Sequence, residues 1–427
     1  LVAGEKTKPD ILDFFTNFGR FRLGKGIVFG KDTPNFIGNR IGTFGMAATI
    51  NAMVEMGYQV DEVDAITGPA MGHPGSASFG TADLVGIDVL AHVTNTIYEG
   101  CPDDPQREIF TVPDFITRMI EEGSLGRKTK AKGGFYKIQK EEDGSKTKLV
   151  IDWKTGDYRP KVRPDIPSLK KAKKTHDVKQ RIQDVVFAND RAGEFAWRLM
   201  RDTLAYSSDR LGEISDSIVD IDNALRWGYN WDLGPFETWD ALGVKKVVEK
   251  MKSDGIKPAA WVTDMLAAGN ETFYIESATG RQYYDPESKG YLDEPRPETF
   301  LFFSELKRDE KKVIYSNKGA SLVDLGDGVA CVEFHSALQP RMNPIDEHII
   351  EVMAKGVEIG ERDFRGLVIH HQGENFSVGA NLLAVLEGIQ ANQWGAIDEM
   401  IRAFQGMTTG LRKAKIPVIT APFAYTF

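Results

Sequence analysis

Three places in this sequence hold residues whose types and spacing could do chemistry. The first is Asn39, in K-D-T-P-N-F-I-G-N-R (31–40). A side-chain amide can donate and accept hydrogen bonds at once. Asp32 or Thr33 can cap a helix whose first turn tolerates Pro34. Asn39 then falls about a turn and a half in, where its helix propensity is poor. It faces water, a polar group in the core, or a substrate. The second is G-E-N-F-S-V-G-A-N-L (373–382), where Ser377, Gly379 and Ala380 leave the backbone uncrowded after a strand. Such a loop can aim main-chain N–H groups at a ligand carbonyl, as an oxyanion hole requires; an ordinary tight turn is the other reading. The third is His370-His371. Adjacent residues on a strand point to opposite faces, so a structural place at a strand end fits the pair better than a shared metal. His73 and Ser76 lie close in a glycine-rich turn, but G-x-S-x-G is missing. No G-x-G-x-x-G follows a strand and there is no Walker A motif.

These residues need elements to position them. Ile11, Phe14, Phe15 and Phe18 are spaced for a helix over 8–20, and 26–29 reads as a short strand. Residues 32–125 read as mostly helical. From 126 to 181 the composition turns polar and charged, which predicts a hairpin region and linker, with Lys170, Lys171, Lys173 and Lys174 on solvated chain. An internal repeat follows. V-F-G-K-D at 28–32 recurs as V-F-A-N-D at 186–190, and Phe79, Asp83 and Gly86 recur as Phe236, Asp240 and Gly243. Two copies of one helical unit are expected to pack as a pseudo-symmetric pair. Arg40 recurs as Arg198, but Asn39 corresponds to Trp197. After a polar stretch at about 270–312, strands at 330–334 and 366–369 flank a helix carrying Ile345, Ile349, Ile350, Met353 and Val357. Ile397, Ile401, Phe404, Met407 and Leu411 mark another helix.

The 427 residues are 41% apolar and 27% charged, ordinary values for a water-soluble globular chain of several domains. No apolar run is long enough to span a bilayer, and the first residues are not a signal peptide. The balance of 53 basic against 62 acidic residues speaks against bulk attraction to nucleic acid. Cys101 and Cys331, far apart, offer no disulfide framework or metal site and suit a reducing, cytoplasmic setting. The first residue is not Met and the last run is apolar, so the chain reads as cut at both ends.

D-T-P-N-F-I-G-N-R, with G-R-K-T-K-A-K-G-G-F-Y (126–136) and L-G-P-F-E-T-W-D-A-L-G (233–243), resembles the helical C-terminal domains of 3-hydroxyacyl-CoA dehydrogenases. F-S-V-G-A-N-L with R-M-N-P (341–344) resembles the first half of an enoyl-CoA hydratase, or crotonase, domain. Their order resembles fused fatty-acid β-oxidation enzymes. The fold implied is mainly α with an α/β part, tandem helical domains followed by a truncated crotonase-like domain. In that arrangement 1–30 is the edge of a Rossmann domain, 31–125 the first helical domain, 126–181 a hairpin and linker insertion, and 182–270 the second helical domain. Residues 271–312 are a linker and 313–427 the start of the crotonase domain.

The resemblance implies oxidation of 3-hydroxyacyl-CoA with NAD and hydration of 2-enoyl-CoA, with coenzyme A carrying the substrate. It places Asn39 in the dehydrogenase substrate cleft, makes the Val378 N–H one oxyanion donor of the hydratase, and sets Ala380 and Asn381 against CoA. The dehydrogenase His-Glu pair, most of the NAD site and the hydratase glutamates would fall outside residues 1–427, leaving both active sites incomplete. Association with a thiolase or with further copies is also implied, with no nucleic-acid partner. Two other readings stand beside it: a non-catalytic acyl-CoA-binding or assembly module, and a thioester hydrolase on the crotonase scaffold.

Overall fold

The structure, a computed structural model, describes residues 1–129, 131–277, 280–297 and 300–427. It divides into one unit of Leu1–Ser277 with Arg281–Glu294 and a second from Pro295 to Phe427.

In the first unit α1 (Pro9–Asn17) runs into a π-helical turn, Phe18–Arg22. The predicted strand at 26–29 is absent; the chain there pairs with the N-terminus through a Val2–Gly30 bridge and the bonds of Leu1 N to Val28 O and Gly30 N to Leu1 O. Helices α2 (Gly38–Met56), α3 (Val60–Thr67), α4 (Ala77–Val85), α5 (Ile87–Gly100) and α6 (Asp114–Glu121) follow. A three-stranded antiparallel sheet, β1 (Tyr136–Lys140), β2 (Lys146–Ile151) and β3 (Tyr158–Pro160), closes the first copy. Then come α7 (Pro167–Ala172), α8 (Val178–Val186), α9 (Arg191–Arg210), α10 (Ile218–Gly228), α11 (Pro235–Leu242), α12 (Val244–Ser253) and α13 (Ala260–Ala267). A second three-stranded sheet, β4 (Tyr274–Ser277), β5 (Gly280–Asp285) and β6 (Gly290–Asp293), ends the unit.

The repeat is built into the hydrogen bonding. Asp64 accepts from the Phe79 and Gly80 N–H groups opening α4 and from the Tyr136 hydroxyl. Asp83 accepts from the Phe135 and Tyr136 N–H groups. In the second copy Asp222 accepts from Phe236 N, Glu237 N and the Tyr274 hydroxyl, and Asp240 from Phe273 N and Tyr274 N. A carboxylate offers enough lone pairs to satisfy several buried N–H groups at once, which is why these positions recur. Where the copies meet, α2 packs on α9 and the Phe44 ring stacks on Tyr206, centroids 3.8 Å apart. Arg40, fully buried, bonds the Tyr206 hydroxyl and pairs with Asp104 at 2.7 Å.

Two expectations are corrected here. Residues 271–312 are not a plain linker, because β4–β6 is the second copy's counterpart of β1–β3. The lysines at 170–174 do not all sit on loose chain. Lys170 and Lys171 belong to α7, which buries Leu169 and Ala172 and is held by Ser168 bonding Asp190.

The second unit holds α14 (Phe303–Leu306) and a five-stranded sheet ordered β11-β10-β9-β8-β7. Its strands are β7 (Val313–Ser316), β8 (Ala320–Gly326), β9 (Val329–Phe334), β10 (Gly366–Ile369) and β11 (Val418–Thr420). Strands β7–β9 form an antiparallel meander, whereas β10 pairs parallel with both β9 and β11. Asp327-Gly328, both at positive φ (51° and 72°), turns β8 into β9. Helix α15 (Glu347–Asp363) crosses from β9 to β10 and buries Ile349, Val352 and Met353. Helices α16 (Leu382–Gln390) and α17 (Trp394–Lys413) lead to β11.

Candidate functional site

Asn39 does not sit a turn and a half into a helix. The chain turns through Pro34–Ile37 with Asn35 and Phe36 both at positive φ (64° and 53°), and α2 begins only at Gly38. Two consecutive left-handed residues cannot belong to a right-handed helix, so Asn39 lies in the first turn. The Asn35 amide secures the turn by donating to Val93 O at 3.0 Å.

Asn39 is exposed, and its Oδ1 accepts from the Tyr229 hydroxyl at 2.9 Å. Of the three surroundings open from sequence, it meets water, and its polar partner is a half-buried tyrosine rather than a group in the core. Tyr229, just beyond α10, lays its ring across Gly38 and Gly42. A Cβ added at Gly42 would fall 2.4 Å from the ring. Burial pushes the Tyr229 hydroxyl up to about 12, so near neutral pH it remains a donor. With Oδ1 held by Tyr229, the amide Nδ2 is left to donate outward. Phe36 (49% exposed) is an apolar neighbour in sequence. Among the described residues no histidine or carboxylate bonds Asn39. The second copy has nothing similar: Trp197, 7% exposed, donates from its indole N–H to Asp254 at 2.7 Å.

Tyr229 is the residue that sequence reasoning missed. The available signal was Gly38 and Gly42, one helical turn apart on a single face of α2, where an aromatic ring can approach.

His73 and Ser76 are not brought together. His73 stacks on Trp231 at 4.3 Å and bonds Thr67 O, and burial lowers its pKa to about 4. Ser76 bonds Thr81.

In the second unit the 373–382 loop is knitted into its neighbours. Ser377 N donates to Tyr425 O and its Oγ to Asn343 O at 2.8 Å; Gly379 N donates to Ser377 Oγ. The Val378 N–H, expected to face a ligand carbonyl, donates to Met342 O at 3.0 Å. That donor is already used, because 342–345 runs beside 378–380 as a short parallel ladder. The Ala380 N–H has no partner among the described residues. Asn381 caps α16 through Oδ1, accepting from Ala384 N. His371 is buried and bonded to Phe376 O and Gly373 N, while His370 bonds Ala421 O.

The chain is similar in part to known families, proteins and structures. The family described as 3-hydroxyacyl-CoA dehydrogenase, C-terminal domain, matches residues 36–138, which include Asn39. The chain is 43% identical over 426 residues to a probable 3-hydroxyacyl-CoA dehydrogenase of Bacillus subtilis, covering all of this chain and 52% of that protein. It is 24% identical over 421 residues to a putative fatty acid oxidation complex trifunctional enzyme of Rickettsia prowazekii, covering 98% and 53% respectively. The chain thus spans about half the length of these curated relatives. A solved putative enoyl-CoA hydratase/isomerase of Mycobacterium abscessus superposes with a TM-score of 0.22 at 21% identity, over 24% of this chain and 40% of that one.

Proposed function

We propose that this chain, related to 3-hydroxyacyl-CoA dehydrogenases and to multifunctional fatty acid oxidation enzymes, supplies the substrate side of an enzyme that oxidises 3-hydroxyacyl-CoA with NAD and hydrates 2-enoyl-CoA. The observation that carries the reading is the Asn39 amide, exposed within the family match and held by Tyr229. In this reading Nδ2–H donates to the oxygen at C3 of the acyl chain. Tyr229 keeps the amide from rotating, and the Gly38–Gly42 face lets the tyrosine approach. For the second unit, Ala380 and Asn381 lie toward the CoA thioester. There the Ala380 N–H is the unspent donor, in place of the Val378 N–H already bonded to Met342.

The residues described here do not fit a dinucleotide. The first unit's sheets are antiparallel, and neither β9 nor β10 leads through a G-x-G-x-x-G turn into a helix.

A second reading, an acyl-CoA-binding module without catalysis, is favoured by one observation: no base is bonded to Asn39 among the described residues. Titrating the chain with 3-hydroxybutyryl-CoA by calorimetry, alongside assays for NADH formation and for loss of crotonyl-CoA absorbance, separates the two. Binding that falls roughly three- to tenfold in Asn39→Ala, the worth of one neutral hydrogen bond, supports the cleft. No binding, or binding indifferent to Asn39, sinks both readings. Binding without turnover supports the module for this chain.

A further inference from the structure

The charge of this chain is unevenly distributed. Residues 126–181 contain 18 of the 53 basic residues and only seven of the 62 acidic ones. Within that segment the sheet β1–β3 places like charges side by side. Lys140 pairs in register with Lys146, and the Lys161 N–H continues the ladder to Lys148 O at 3.0 Å. Like charges directly opposite on a sheet are unfavourable without a counter-charge. Lys148 and Lys161 converge further, their ammonium groups 4.0 and 5.3 Å from the centre of the Tyr136 ring. Arg127, whose N–H bonds Asp83 O, adds a third positive charge that Lys148 feels.

The second copy shows what a compensated version looks like. There Arg281 lies 3.7 Å over the Tyr274 ring, and Glu237 neutralises it at 2.8 Å, with Glu294 at 3.8 Å. At the position of Glu237 the first copy has Gly80. The nearby Asp64 and Asp83 act on these cations only at longer range. Their oxygens are occupied by N–H groups and the Tyr136 hydroxyl, and neither lies within ion-pair distance of Lys148, Lys161 or Arg127 among the described residues. Burial and the neighbouring Lys161 and Arg127 hold the Lys148 ammonium below its ordinary range, against the opposing pull of Asp64 and Asp83.

We propose that Lys148 and Lys161, gathered over Tyr136 with Arg127 beside them, form a binding site for a phosphate-type dianion. Two ammonium groups gathered about one aromatic ring suit a compact double charge better than an extended polyanion, which would also meet the acidic remainder of the chain.

The test is calorimetric titration of the full chain with inorganic phosphate, ionic strength held constant with sodium chloride. Saturable binding is expected, at least tenfold weaker in the double variant Lys148→Met/Lys161→Met and kept in Lys148→Arg/Lys161→Arg. A response no different from chloride, or equal binding by the methionine variant, overturns the proposal. Two further titrations identify the source of the phosphate. Lysine-dependent preference for coenzyme A over its 3′-dephospho form assigns the group to a nucleotide. Lysine-dependent retention on phosphatidic acid vesicles over phosphatidylcholine vesicles assigns it to a lipid headgroup.

Discussion

Asn39 shows what a single position can and cannot reveal. Its amide type and its absence from the second copy were legible; its partner was not, because Tyr229 lies 190 residues away and Gly38 and Gly42 signal only that some ring can approach. Replacing Tyr229 by Phe should leave stability nearly unchanged and free the amide to rotate. The expected reading is a loss of acyl-CoA affinity smaller than that of Asn39→Ala, by the same titration. Arg40 is a contrasting case. It is fully buried with Asp104, and Arg40→Met leaves that carboxylate with Arg210 at 3.4 Å, the Tyr206 hydroxyl and the Gln106 N–H, so the loss should cost about 1–3 kcal/mol in urea unfolding. Its repeat counterpart Arg198 is half-exposed, and Arg198→Met should change stability by under about 1 kcal/mol. Asp240 gives a pH signature. Burial raises its pKa to about 7 despite two backbone donors, well above an unfolded carboxyl. A raised pKa means that the folded state holds the proton more tightly, so this contribution is fully present below about pH 4 and lost as pH rises through 7. Wild-type stability relative to Asp240→Asn should therefore rise on acidification from pH 8 to 5. A flat difference across that range would remove burial as the cause.

Among elements, amphipathic helices were the most legible, since α1, α15 and α17 each carry apolar residues at helical spacing. Their starts were less so. A good N-cap and a proline favoured a helix from residue 32, but left-handed Asn35 and Phe36 delay it to Gly38, a backbone choice that residue propensities do not encode. Sheet β4–β6 was hidden because short antiparallel strands over a helical unit bury few side chains and so look polar. The signal that marks it is the dipeptide Phe135-Tyr136 recurring as Phe273-Tyr274, each anchored by an Asp. Gly42 belongs to this scale too. Gly42→Ala improves helix propensity yet puts a Cβ against the Tyr229 ring, so it should destabilise by about 1–3 kcal/mol and weaken acyl-CoA binding together. Stabilisation with unchanged binding would mean the ring moves away freely.

For the whole molecule, the repeat was visible in the pattern, whereas the exposed apolar faces were visible only in the structure. Phe14, Phe15, Phe18 and Phe21, on α1 and the turn beyond it, are each more than 40% exposed, as are Leu382, Leu383 and Leu386 of α16. Such a patch invites contact with other chains. The chain as it stands should self-associate at micromolar concentration, and Phe14→Asp/Phe18→Asp should shift its sedimentation toward monomer. The two-copy build of the first unit has a further implication for saturation behaviour. A true pair of identical subunits presents two equivalent clefts that can influence one another. Here Trp197 stands in the second copy where the first has Asn39, so under the function proposed above a ligand of Asn39 is held once per polypeptide, and its saturation curve should be hyperbolic with a stoichiometry of one.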